Sequence, residues 1–89
     1  MRRTAAVGPR TLVFEGDELS LDLDVASEIV GQVIPPQPCR VVLMNGREAL
    51  AQVDADVLGC FRLTRPDRGP IRLTCSTADR VAATEWWRL

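Results

Sequence analysis

Two aspartates in the stretch VDADVLGCFRL are the side chains best spaced for chemistry, because Asp54 and Asp56 precede Gly59 as in an acidic cation-binding loop. Carboxylate oxygens at alternate positions suit Ca²⁺. The twelve-residue calcium loop, however, has an oxygen ligand at its fifth place and a glutamate at its twelfth, where this chain has Leu58 and Arg65. The spacing therefore favours a turn that opens a strand, and we expect no metal site.

Three cysteines form the second group of reactive side chains. Cys39, Cys60 and Cys75 are an odd number and include no C-x-x-C pair, which favours free thiols in a reducing cytoplasm over disulfides or a zinc site. Cys75 falls on the apolar side of an alternating segment, so we expect it in the core. Cys60 falls on the polar side and is the more reactive candidate, although no neighbouring base marks it as a nucleophile.

The absent residue types restrict the chemistry further. The chain has no histidine, lysine or tyrosine, so the usual proton shuttle near neutral pH, the Schiff-base amine and the phenolic acid are all missing. An enzyme would need an unusual mechanism on Cys60 or the carboxylates. We therefore expect a non-enzymatic protein with no catalytic residues and no cofactor.

Alternation of apolar and polar side chains predicts that most of the chain is β-strand. The clearest case is ELSLDLDVAS, in which the leucines and the valine share one face and the serine and aspartates share the other. Gly16-Asp17 is predicted to join this segment to TLVFE as a hairpin. GCFRLTR and PIRLTCST alternate in the same way, and their predicted inward residues are Phe61, Leu63, Ile71, Leu73 and Cys75.

Turn signals separate the strands. The prolines of PPQP stop the run IVGQVI, and Asn45-Gly46 predicts a two-residue hairpin between CRVVLMN and REALAQVDA. RVAATEWWRL is predicted as the last strand. Seven or eight short strands without helical periodicity predict an all-β fold, an antiparallel β-sandwich over residues 11–89 behind a flexible N-terminal tail at residues 1–10. A small β-barrel is the alternative.

The order of these segments resembles the carboxypeptidase regulatory-like domains, which are transthyretin-like (prealbumin-like) β-sandwiches. In that family a G-x-V strand, a second strand, a D-x-x-G-x-F turn and a G-x-x-x-L strand follow one another. The matching positions, within residues 28–76, are Gly31, Val33, Asp56, Gly59, Phe61, Gly69 and Leu73. The resemblance implies the same sandwich and a non-catalytic accessory domain that stabilises or presents another protein.

The chain departs from the reactive relatives of that family. Transthyretin-like hydrolases that open a ureide ring need histidines, and pilin-type sandwiches that form Lys–Asn isopeptide bonds need a lysine. This chain has neither residue type. Both activities are therefore excluded.

The candidate partner contacts are acidic and aromatic. Six acids and no basic residue lie from Glu15 to Glu28, which indicates either the solvated face of a strand or a docking face for a basic partner. Trp86 and Trp87 are adjacent, so one is expected in the core and the other outside as an interface anchor beside Arg88. The predicted partner-binding residues are Asp22, Asp24, Glu28, Trp86, Trp87 and Arg88.

We expect a cytoplasmic interaction or accessory module that binds a protein partner through an outer sheet face or an edge strand. Small proteins of this appearance in high-GC bacteria look like companions of larger regulators, such as sigma factors, or of caspase-like proteases. Homo-oligomers through edge strands are a further expectation. The alternative function is a small-ligand or metal-binding sandwich that uses Asp54, Asp56 and Asp67.

Two partner classes are not expected. Nucleic acid is disfavoured because the chain has few aromatic residues and no sign of a basic groove interleaved with them. A membrane is disfavoured because no apolar run approaches the length of a span.

Overall fold

The computed structural model describes residues 1–4, 8 and 10–88. Regular structure within these residues is entirely β-strand, and all paired strands are antiparallel. The strands are β1 (Arg2–Arg3), β2 (Thr11–Glu15), β3 (Ser20–Val25), β4 (Glu28–Ile34), β5 (Cys39–Asn45), β6 (Glu48–Ala55), β7 (Cys60–Thr64), β8 (Arg72–Ser76) and β9 (Val81–Ala83). This part of the chain also contains no helix with the length and apolar character needed to cross a bilayer.

The strands form two open sheets. Sheet A has the order β1-β2-β3-β4-β7, and sheet B has the order β6-β5-β8-β9. The chain passes between the sheets at the proline-rich segment after β4, at the turn between β6 and β7, and again before β8. The predicted all-β sandwich is therefore confirmed. The barrel alternative is wrong because the two sheets do not close into one.

The core lies between the sheets and follows the predicted alternation. Sheet A contributes the inward side chains of β2, β3, β4 and β7, and sheet B those of β5 and β8. The buried apolar residues are Phe14, Leu19, Leu21, Leu23, Val25, Ile29, Val33, Cys39, Val41, Leu43, Ala55, Phe61, Leu63, Ile71, Leu73, Cys75 and Trp87. All the side chains predicted to face inward are in this set, because burying one face of each strand fixes its register.

Gly31 makes room for an aromatic ring in this core. It lies directly opposite Phe61 in the pairing of β4 with β7. A Cβ at position 31 would come within 2.3 Å of the Phe61 ring and 2.8 Å of Leu23. A side chain of any size at position 31 would therefore displace the ring.

The N-terminal residues form one strand more than predicted. Arg2 pairs with Glu15 of β2, and the Met1 amine donates to the Ala83 carbonyl while the Met1 carbonyl accepts from the Glu85 N–H at 2.9 Å. Residues 1–4 thus contact both sheets. The predicted tail over residues 1–10 missed β1 because two residues are too few to show alternation. Residues 5–7 and 9 lie outside the described residues, so the flexibility of the tail stays a prediction.

Two predicted boundaries were wrong by a few residues. Asn45 pairs with Glu48, so the loop residues of the β5–β6 hairpin are Gly46 and Arg47 rather than Asn45-Gly46. Gly46 has a φ of 58°, as expected for glycine at the first loop position of a tight hairpin. The last strand is also shorter than predicted, because β9 ends at Ala83 and the chain pairs again, as an isolated bridge, at Trp87.

Candidate functional site

The three predicted acidic contacts share the outer face of sheet A. Asp22 lies between Val13 and Gln32 in the register, and Asp24 lies between Thr11 and Val30. Glu28 begins β4, and its carboxylate lies 3.6 Å from the guanidinium of Arg62. Such exposed ion pairs stabilise a fold by less than about 1 kcal/mol. The outer face of sheet A therefore presents Asp22, Asp24 and Glu28, and Arg62 partly neutralises the charge of Glu28.

The two tryptophans are split between the core and the surface, as predicted for adjacent residues near a strand. Trp87 is 5% exposed, and its ring centroid lies 4.9 Å from that of Phe14. Backbone hydrogen bonds to Ile71 in both directions hold it there. Trp86 is 40% exposed. The candidate anchor on the surface is therefore Trp86, whereas Trp87 is a core residue.

Trp86 lies against an arginine of sheet B. The guanidinium carbon of Arg72 is 4.6 Å from the centroid of the Trp86 ring, within range of a cation–π interaction. The Nε of Arg72 donates to the carbonyl of Thr84 at 2.9 Å, which fixes the guanidinium group. Thr84 is itself buried, and its hydroxyl accepts from the Leu73 N–H at 3.1 Å. The ring of Trp86 is thus presented on a rigid support.

The outer face of sheet B, where Trp86 lies over Arg72, carries several apolar side chains among polar ones. By register, Val42 lies beside Thr74, Thr74 beside Ala83, and Met44 beside Arg72. Leu50, the extra residue at a bulge in β6, is exposed, and Val81 on the edge strand β9 is 74% exposed. We call this surface the sheet B patch; its residues are Val42, Met44, Leu50, Val81, Ala83 and Trp86. It lies on the opposite side of the sandwich from the acidic residues, so the two predicted contact sets do not form one surface.

A third surface lies at the end of the sandwich where the β3–β4 turn meets residues 87 and 88. It is a cavity of about 450 Å³ whose described lining includes four arginines, and we call it the arginine recess. The lining residues are Arg3, Arg10, Leu12, Val25, Ala26, Ser27, Arg65, Trp87 and Arg88. Only Arg88 of the four arginines was singled out from the sequence. The other three were missed because they come from distant segments that only the folded topology brings together.

The aspartates of the VDADVLGCFRL stretch have structural roles. One carboxylate oxygen of Asp56 accepts hydrogen bonds from the N–H groups of Leu58 and Cys60, both at 2.9 Å. Asp54 pairs with Arg40 on the neighbouring strand at 3.2 Å. Within the described ranges there is no group of three or more His, Cys, Asp or Glu placed to hold a metal ion. The predicted turn is thus confirmed.

The three cysteines are free thiols in two environments. Cys39 and Cys75 are buried, and Cys60 is exposed on the outer face of sheet A opposite Gln32. Burial raises the pKa of the Cys75 thiol to about 12, with the nearby Cys39 adding to the effect. Burial also raises the pKa of Cys39. Both buried thiols are therefore protonated at neutral pH and act as small apolar core residues.

The residues that carry the family resemblance are also structural. Gly59 has a φ of 81°, and Phe61 enters the core directly after the turn that Asp56 caps. These roles were expected for a D-x-x-G-x-F turn, and they are confirmed. Membership of the carboxypeptidase regulatory-like family stays a prediction. No protein-family model, no curated protein and no solved structure matches this chain.

Proposed function

We propose that this protein is a non-enzymatic interaction module that binds a protein partner through the sheet B patch. The single observation that carries the proposal is Trp86, a large aromatic side chain held 40% exposed over Arg72 on the outer face of sheet B. Contiguous apolar surfaces on small soluble domains commonly mark interaction sites. Tryptophan and arginine are also the residue types most enriched among interface hot spots.

The charge on the patch indicates what kind of partner surface would fit. Among the described residues Arg72 has no carboxylate within ion-pair distance, whereas Arg40 at the margin of the patch is paired with Asp54. A partner surface that is apolar and offers one carboxylate would pair with the guanidinium of Arg72 and cover Trp86. This charge complementarity would favour such a partner over a surface that places a basic group at the same position.

The acidic outer face of sheet A is the second candidate. Asp22, Asp24 and Glu28 share it, and Val30 beside Asp24 is also exposed. A basic partner with a small apolar contact would fit this face. We rank it second because it lacks an aromatic anchor, and solvated acidic faces are common on antiparallel sheets.

The broader setting of this function is also a proposal. The resemblance to carboxypeptidase regulatory-like domains supports an accessory role, in which the module stabilises or presents a larger protein. A companion role for a bacterial cytoplasmic regulator or protease follows from that likeness.

The test uses surface variants on the two faces. The tagged chain is expressed in cells that carry it natively, and the proteins that co-purify with it are quantified for the wild type, Trp86→Ala and Leu50→Ser. Val30→Ser, an exposed apolar residue on the opposite face, is the matched control. Each variant is first checked by circular dichroism. The leading candidate is then purified and its Kd is measured by calorimetry.

We expect the purified partner to bind the wild type and Val30→Ser equally, and Trp86→Ala at least about thirtyfold more weakly, since a hot-spot tryptophan contributes about 2 kcal/mol or more. A partner whose Kd changes less than twofold with both patch variants would overturn the proposal. Loss of binding with Asp22→Asn and Asp24→Asn instead would transfer the function to the acidic face. If the wild type sedimented as a dimer and Trp86→Ala as a monomer, the sheet B patch would bind a second copy of this chain. That result would also overturn the proposal of a different protein as the partner.

A further inference from the structure

The arginine recess concentrates positive charge without a compensating acid. Arg3, Arg10, Arg65 and Arg88 line it, and no acidic side chain is part of its described lining. Elsewhere in the described chain Arg40, Arg62 and Arg80 each pair with a carboxylate, but none of the four recess arginines lies within ion-pair distance of one. Bringing four like charges together costs free energy, so a counter-charge at this place would be stabilising.

The chemistry of the lining side chains suits an anion. One terminal nitrogen of Arg65 donates to the carbonyl of Ala26 at 3.1 Å, which anchors this guanidinium group at the recess. Guanidinium groups present planar pairs of N–H donors that match the oxygens of a phosphate. Ser27 adds a hydroxyl group to the same lining.

The lining of the recess also includes a buried tryptophan whose indole N–H is unpartnered in the described part of the chain. Trp87 is buried, and its indole Nε1–H has no hydrogen-bond partner among the described residues. A buried donor without an acceptor costs about 1–3 kcal/mol, so such groups usually have a partner. Trp87 lines the arginine recess.

We infer that the arginine recess binds a small phosphorylated molecule, with its phosphate oxygens held by the four arginines. The cavity volume of about 450 Å³ lies in the range of small-molecule sites and exceeds what a single phosphate fills. Leu12 and Val25 provide apolar surface for the remainder of the ligand. This site is separate from the sheet B patch and does not depend on the proposed partner.

Calorimetric titration of the full chain tests the inference. The probes are adenosine diphosphate as a phosphorylated small molecule, inorganic pyrophosphate as the phosphates alone, adenosine as the unphosphorylated control, and a short single-stranded oligonucleotide. Arg10→Ala and Arg65→Ala remove recess charges. Arg47→Ala in the β5–β6 turn removes an arginine outside the recess lining and is the matched control. Thermal unfolding followed by circular dichroism confirms that each variant is folded.

We expect adenosine diphosphate to bind the wild type and Arg47→Ala with equal affinity. It should bind Arg10→Ala and Arg65→Ala about tenfold or more weakly, since each of these two substitutions removes a charge-assisted hydrogen bond. Adenosine should not bind.

Several outcomes would overturn the inference. No binding of either phosphate probe to the folded wild type would remove the anion site. Equal weakening by all three arginine variants would show non-specific attraction. If pyrophosphate bound as tightly as adenosine diphosphate, the recess would have no contact with an organic part of the ligand. If the oligonucleotide bound more tightly than both, the ligand would be nucleic acid instead.

Discussion

Gly31 sets how closely strand β4 approaches strand β7. Because a Cβ at this position would meet the Phe61 ring at 2.3 Å, we expect Gly31→Ala to lower the free energy of unfolding by about 1–3 kcal/mol through overpacking. Urea denaturation measures the change. A Cβ at Gly8 meets no atom of the described residues within 4 Å, so Gly8→Ala is the control and should change stability by less than about 0.5 kcal/mol.

The contact with Phe61 can be tested by a second substitution. Phe61→Leu should be less destabilising in the Gly31→Ala background than in the wild type, because the smaller side chain relieves the clash. Additive effects of the two substitutions would contradict this explanation.

The buried thiols predict how stability depends on alkaline pH. The unfolded chain releases the Cys75 proton near pH 9.0, whereas the folded chain keeps it to about 12. The unfolded state therefore binds fewer protons in this window, and the free energy of unfolding should fall as pH rises, by up to about 1.4 kcal/mol per pH unit for one thiol. The absence of lysine and tyrosine removes the other groups that usually titrate there.

Denaturation with urea at several pH values between 8 and about 11 measures how steeply the free energy of unfolding falls with pH. Cys75→Ala should flatten this dependence of the free energy of unfolding on pH, although the cavity that it leaves lowers stability at every pH. An equal slope in Cys75→Ala and the wild type would contradict the prediction.

Among the elements, the turn between β6 and β7 depends on one carboxylate. Asp56 accepts two backbone N–H groups, so Asp56→Ala is expected to lower the free energy of unfolding by about 1–2 kcal/mol. Asp54→Ala, two residues away, removes only an exposed ion pair and should cost less than about 1 kcal/mol. If chemical denaturation showed the same decrease in the free energy of unfolding for Asp56→Ala and Asp54→Ala, the hydrogen bonds of Asp56 in the turn would have no special role.

Most strands could be predicted from the sequence, either from strict alternation or from the turn signals that bound them, whereas β1 could not. The segment around Leu21 and Leu23 has one polar and one apolar face, so its pattern predicts both that it is a strand and which face lies in the core. β1 has only two residues and is held by pairing with β2, which leaves no pattern. The β5–β6 loop was misplaced by one residue because Gly46 fits either position of a tight hairpin, and the pairing of Asn45 with Glu48 decides between them.

For the whole molecule, we expect Ca²⁺ and Zn²⁺ to leave the melting temperature unchanged. A metal bound by the native state would raise it by mass action. Asp54 and Asp56 are already engaged in an ion pair and a turn, and residues 1–4, 8 and 10–88 contain no cluster of metal ligands. Thermal unfolding with each ion and with a chelator measures this. A reproducible increase that Asp56→Asn abolishes would restore the metal-binding alternative.

The candidate surfaces could be predicted only in part. Adjacency alone indicates that Trp86 and Trp87 face opposite ways, but the bridge between Ile71 and Trp87 decides which one is buried. The arginine recess joins Arg3 to Arg88 across nearly the whole chain. The spacing of residues along the chain does not predict that these arginines lie together, because their proximity depends on strand order and on how the two sheets pack.

The division of the two tryptophans between core and surface gives the molecule two separate optical reporters. With no tyrosine in the chain, its intrinsic fluorescence comes almost entirely from these two indoles. Buried Trp87 should emit at shorter wavelength and resist quenching by iodide, whereas exposed Trp86 should emit at longer wavelength and be quenched. A ligand in the arginine recess would alter the first emission and a protein on the sheet B patch the second, so one spectrum distinguishes the two binding events without any added label.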